Sequence, residues 1–159
     1  MYLWNKFIII FLFISFFVSC QTSSKKTSEE SLSFYIIDLG DREYKQGNFE
    51  KSQLYYLQAK KKNKDLLKNI FFISRLMKVA IKVKNPNIVS ECYAIIKSFD
   101  INLLRNSFSK EIYHYSLGKY YSYQNDKKNA IINFSKAIEL SNGKRDSFYQ
   151  CLISDKNNC

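Results

Sequence analysis

Residues 111–144 read EIYHYSLGKYYSYQNDKKNAIINFSKAIELSNGK. Apolar residues recur at helical spacing on both sides of a polar stretch centred on Asn125, which predicts two helices joined by a tight turn. Asp126 stands where the second helix needs an N-cap. Asn142-Gly143 can end that helix with a residue in left-handed backbone. Small residues (Gly118, Ala130, Ala137) are interleaved with large ones (Leu117, Tyr121, Phe134). The small ones let two helices approach closely, and the large ones fill the space between them.

A second block, from Ser33 to about Leu66, carries a related pattern in Leu39, Gly40, Ser52, Tyr56 and Ala59. Gly47-Asn48 is its expected turn. Glu50 falls in the first turn of the following helix, where the helix dipole favours a carboxylate. The place held by Tyr121 in the first block is taken by Glu43, with Tyr44 beside it to supply part of the packing.

This spacing resembles the tetratricopeptide (TPR) repeat, a helix–turn–helix unit of about 34 residues. Leu117, Gly118, Tyr121, Ala130, Phe134 and Ala137 fit the family's packing positions, as do Leu39, Gly40, Tyr56 and Ala59. The family's usual Trp and Pro are replaced by His114 and Asn142. The resemblance implies an all-α fold: a helix–turn–helix array of about three helix pairs plus a C-terminal cap helix over residues 31–154. Between the blocks, Leu66–Lys84 reads as one long helix. Asn85-Pro86 reads as a helix start, with Asn as N-cap and Pro at the first helical position, and Ile88–Phe99 as the partner helix. Gly47 and Asn125 lie 78 residues apart, whereas two repeats occupy about 68. About ten extra residues are therefore expected, placed near Phe99–Ser109. Lys144 to about Ser154 is the expected cap helix, and residues 155–159 form a short tail.

The N-terminus has a different character. Met1–Lys6 carries one positive charge, and Phe7–Val18 is a continuous apolar run. Its length suits the core of a signal peptide, about 7–15 residues, and falls short of the roughly 20 that span a bilayer. Phe17-Val18-Ser19-Cys20 resembles the lipobox of bacterial lipoproteins, in a version loose at Phe17 and Val18. The resemblance implies that residues 1–19 are a signal peptide and an N-terminal signal helix. It also implies that Cys20 becomes the acylated mature N-terminus, anchored in a cell-envelope membrane by its acyl chains, on the periplasmic face or the outer surface. Two or more acyl chains give stable anchoring, where one is marginal. Residues 20–30 read as a flexible tether reaching on the order of 17 Å.

The chain is 46% hydrophobic and 16% aromatic, with one Pro and four Gly. That composition excludes a disordered chain and disfavours a turn-rich β fold. Formal net charge is +11, and all 14 acidic residues follow Cys20. The excess is mostly Lys and accompanies a general richness in Asn, Ile, Phe and Tyr. Without an Arg cluster, nucleic acid is not an expected partner.

Nothing in the sequence assembles a catalytic constellation. His114 is the single histidine and falls at a helix-packing position. There is no phosphate-cradling glycine loop, no paired CxxC and no HExxH. The chain reads as a non-enzyme without metal, cofactor or small-molecule substrate. Cys92 reads as a small core residue. Export permits a disulfide between Cys151 and Cys159 if the tail folds back.

The TPR resemblance further implies that partner proteins are held in a groove lined by the first helix of each pair. The expected lining is Tyr44 and Lys45, then Arg75 and Lys78, then Tyr115, Lys119 and Tyr123, flanked by Phe34, Ile37, Asp41 and Phe71. This aromatic and basic mixture suits an acidic and apolar protein segment. The expected function is therefore a lipid-anchored adaptor for protein partners, of the kind that serves envelope or outer-membrane protein assembly. The competing expectation is a surface lipoprotein that holds acidic polymers on its basic face.

Overall fold

Left-handed backbone punctuates the chain at Gly47 (φ 82°), Lys84 (φ 57°), Asn125 (φ 59°) and Asn142 (φ 52°). Gly47 takes that conformation without a steric penalty, whereas at the other three the side chain tolerates it. At each of the first three, the chain leaves one helix and enters the next within three residues. The computed structural model describes residues 29–142 and 146–153. The expected signal peptide, Cys20, the expected tether up to residue 28 and the tail lie outside the described residues, as does any Cys151–Cys159 disulfide.

The helices come in pairs. Helix α1 covers residues 29–45 and turns at Gly47 into α2, Phe49–Lys62. Helix α3, Ile70–Val83, turns at Lys84 into α4, Pro86–Ser98. Helix α5, Ser107–Tyr123, turns at Asn125 into α6, Lys127–Ser141. A shorter α7, Asp146–Ile153, closes the array. The expected all-α array of three helical hairpins plus a cap helix is what the chain forms. Residues 29 and 30 already belong to α1, so the helix takes in the end of the stretch read as tether.

Side-chain caps explain most starts. Asp126 accepts from Asn129 N, and Asn85 from Ile88 N with Pro86 in the first turn, as the sequence predicts. Asn69 and Asn106 cap α3 and α5 in the same way. Each such cap contributes about 1 kcal/mol. Asn69 also corrects the reading of Leu66–Lys84 as one helix. Its carboxamide oxygen takes the amides of Phe71 and Phe72, so α3 starts there. Leu66 sits in a separate 3₁₀ turn, Lys64–Lys68.

The extra residues are also placed differently. The turns at Gly47, Lys84 and Asn125 are separated by 37 and 41 residues, so the excess over a repeat of about 34 is split. A few residues enter at the Lys64–Lys68 turn. Most enter between α4 and α5, where Ile101–Leu103 forms another 3₁₀ turn.

Two pairs close by the same contact. An added Cβ at Gly40 would stand 2.8 Å from the Tyr56 ring, and one at Gly118 would stand 2.5 Å from the Phe134 ring. Both rings are fully buried. Ser52 donates to the Gly40 carbonyl at 2.8 Å and fastens the first pair further. Ala59 and Ala137 are fully buried one turn beyond each ring. Leu117 and Ala130 are buried and Leu39 and Tyr121 are half-buried, so the remaining packing residues face inward too.

Counting from its turn, the middle pair has Leu76 where the others have Leu39 and Leu117, but Met77 replaces the glycine. Met77 is buried and fills the interhelical space itself. Tyr93, the counterpart of Tyr56 and Phe134, lies half-buried and stacks on Tyr120 of α5, with centroids 3.7 Å apart and planes at 8°. Val89, Cys92 and Ile96 form the buried stripe of α4 in its place. Cys92 is thus the core residue expected, and burial pushes its thiol up to about 12. Helix α7 is tied down by Tyr149, which is buried against Tyr115; the Tyr149 hydroxyl donates to Glu111 Oε1 at 2.6 Å.

Gly118→Ala should therefore destabilise the protein even though Ala is the better helix former by about 1 kcal/mol. Overpacking costs about 1–3 kcal/mol, and a buried ring has little room to retreat. A net loss of about 1–2 kcal/mol is expected in urea unfolding, with partial recovery in Gly118→Ala/Phe134→Leu. A stabilised Gly118→Ala protein would refute the close-approach role.

Candidate functional site

The first helices of the three pairs, α1, α3 and α5, contribute to one face. Their register is set by the turns. Six residues before each turn stand Asp41, Lys78 and Lys119; two before stand Lys45, Lys82 and Tyr123. Ten before stand Ile37, Ser74 and Tyr115, all buried.

That last row corrects the expected lining. Tyr115 packs on Phe134 of its own pair and on Tyr149 of α7, and its row is excluded from solvent in all three pairs. Burial holds its phenol protonated well above the usual tyrosine range. Lys45 is exposed at the edge, and Tyr123 is half-buried against the core. The structure brings together Tyr44, Arg75, Lys78 and Lys119, and adds Lys82.

Asp41 is the acidic member of this group. Its Oδ1 accepts from the Tyr56 hydroxyl at 2.5 Å, and its Oδ2 pairs with Arg75 Nη1 at 3.1 Å. Burial and this bond to Asp41 raise the Tyr56 phenol far above its usual range. The contact joins the face to the core, since Tyr56 is the ring that rests on Gly40.

The lysines form the basic part. Lys78 Nζ lies 4.4 Å from the centroid of the Tyr44 ring, and Lys82 Nζ lies 5.8 Å from that of Phe49. Such contacts offset part of the cost of holding an ammonium near protein. Tyr44 and Phe49 are themselves in contact, with centroids 5.2 Å apart. Burial pushes the Lys78 ammonium below its usual pKa and Lys82 adds to this, while Asp41 opposes. Burial pushes Lys119 down to about 8, with Lys78 and Lys82 contributing. Among the described residues, none of these three lysines enters an ion pair of 4.0 Å or less.

Lys82 is the member that sequence reasoning missed. Its signal was present as the residue four after Lys78 on the same helix. Placing it required the register of the middle pair, which shows only once Lys84 is seen to be the turn.

His114 faces the opposite way in the α5–α6 pair, where its Nδ1 lies 3.1 Å from Asn133 Oδ1. Burial lowers its pKa, so it is the hydrogen-bonded packing histidine expected. Clefts open elsewhere on the molecule. One, of about 290 Å³, is lined by Glu29, Glu30 and Lys62–Asp65. Another, of about 260 Å³, lies between α5, α6 and α7 beside Ile131, Phe134 and Leu152. Neither includes the lysine group. No helix among the described residues is long and apolar enough to cross a membrane. No family model matches the chain, and no curated protein matches it.

The low pKa of Lys119 has a consequence for stability. The unfolded chain keeps this lysine protonated to about pH 10.4, whereas the folded protein releases its proton near 8. Between those values the unfolded state binds more protons, so stability rises with pH. From pH 7.5 to 9.5 the urea midpoint of the unaltered protein should rise relative to that of Lys119→Met, the opposing effect of the buried Cys92 thiol being common to both. The same slope in both proteins would show that Lys119 is not the group responsible.

Proposed function

We propose that the protein is a lipid-anchored adaptor of the cell envelope, held to a membrane through Cys20, that binds protein partners along the face built by α1, α3 and α5. The observation that carries the binding part is the convergence of Tyr44, Arg75, Lys78, Lys82 and Lys119 from the first helices of all three pairs. No hairpin alone would present the whole set. Stacked hairpins offer an extended surface of this kind, on which partner segments lie. The membrane part rests on the apolar run, the Ser19-Cys20 junction and the polar tether in the sequence.

Two measurements test the halves separately. Cys20→Ala should move the domain out of the membrane fraction or leave unprocessed precursor, with helical circular dichroism retained; lipid labelling unaffected by the change would overturn the anchor. Crosslinking in intact cells, followed by capture in detergent, should recover a protein whose yield falls at least about fivefold in Lys78→Glu/Lys119→Glu. It should be unchanged in Lys61→Glu, on the exposed side of α2. Equal recovery from all three would remove the binding face from the proposal.

A further inference from the structure

The charges on the α1–α3–α5 face do not balance, and the imbalance is local. Asp41 has both oxygens engaged, one by Tyr56 and one by Arg75. Three ammonium groups are left over: Lys78 and Lys82 one turn apart on α3, and Lys119 on the neighbouring α5. Lys78 and Lys119 hold the same place, six residues before the turn, on two helices that pack against each other, and Lys82 stands one turn along α3. Lys82 accordingly lowers the proton affinity of Lys78, and both lower that of Lys119. Lysine side chains on a free surface extend away from one another into water. Here Lys78 and Lys119 are only partly exposed, and Lys78 and Lys82 are drawn towards the Tyr44 and Phe49 rings. An anion placed among the three would relieve the repulsion and gain from all of them at once.

We propose that Lys78, Lys82 and Lys119 form an anion subsite that takes carboxylate side chains of an acidic protein segment, with Tyr44 and Phe49 receiving an apolar side chain of the same segment. The inference rests on the reading of this face as a protein-binding surface and gives the partner its chemistry. Two features select a peptide over the other polyanions. Lys78 and Lys119 are partly buried between helices, where a flat bilayer surface reaches less well than a chain. The adjoining aromatic pair has no use for a headgroup or a phosphate but suits a segment that alternates acidic and apolar residues. A bound carboxylate holds Lys119 in its charged form. The charged groups that act on Lys119 are Lys78 and Lys82 from α3, both positive.

The test uses the full lipidated protein in detergent and a fluorescein-labelled peptide of alternating Glu and Phe, read by anisotropy. Replacing Glu by Gln in the peptide, or Lys78→Gln/Lys119→Gln in the protein, should each weaken binding about tenfold or more, while Lys61→Gln leaves it unchanged. Thermal melts confirm that the variants fold. Affinity should fall between pH 7 and 9 in the unaltered protein and much less in Lys119→Arg, whose charge does not titrate there. The proposal is overturned if the Gln peptide binds as well as the Glu peptide. It is also overturned if the lysine variants bind normally, or if inorganic phosphate or phosphatidylglycerol supplied in mixed micelles competes as effectively as unlabelled peptide. If the peptide fails to bind while crosslinked capture still depends on Lys78 and Lys119, the subsite chemistry is wrong and the adaptor reading stands. Loss of both would remove the two together.

Discussion

The ring of Phe134 rests against α5 where Gly118 has no Cβ, and the ring of Tyr56 rests against α1 at Gly40 in the same way. This contact sets how near the two helices of a pair can come, because a ring packed on bare backbone brings the axes closer than a side chain packed on a side chain. Everything further out depends on it. The small residues Ala59 and Ala137 are fully buried one turn along, and Ser52 can reach the Gly40 carbonyl only at that separation. Tyr56 then carries the constraint to the α1–α3–α5 face, since its hydroxyl holds Asp41, and Asp41 holds Arg75.

The middle pair lacks this contact and packs by other means. With Met77 in place of glycine, there is no seat for a ring. Tyr93 stacks instead on Tyr120, and its hydroxyl lies 3.4 Å from that of Tyr121. An aromatic that would have closed its own pair thus joins its pair to the next one. The longer connection between α4 and α5 accommodates this junction, and the short 3₁₀ turns at Lys64–Lys68 and Ile101–Leu103 use up the surplus chain without disturbing the register of the turns.

The α1–α3–α5 face inherits its charge from that register. The row six residues before each turn runs Asp41, Lys78, Lys119, from a carboxylate with both oxygens engaged to a lysine that gives up its proton near pH 8. The overall charge of +11 says little by comparison. Many of the lysines lie on exposed outer helices and are solvated, whereas the three on this face are set against one another and two of them are partly desolvated.

The helical class, the two outer pairs, the caps at Asn85 and Asp126 and the left-handed residues at Gly47 and Asn142 were legible in the sequence. They depend on periodicity, glycine and capping side chains, which act within a turn or two of chain. The proposed leader and Cys20 rest on the same kind of signal, a run of composition next to a local motif. The start of α3 at Asn69 was missed because Leu66, Ile70 and Ile73 keep helical spacing straight through the cap. The middle register, the division of the extra residues, the burial of Tyr115 and the place of Lys82 could not be read in this way. Each depends on which side chain fills the space between helices far apart in sequence. Local residues thus determined that helices form and where most of them turn, and only the packing of one pair on the next decided which side chains share a face.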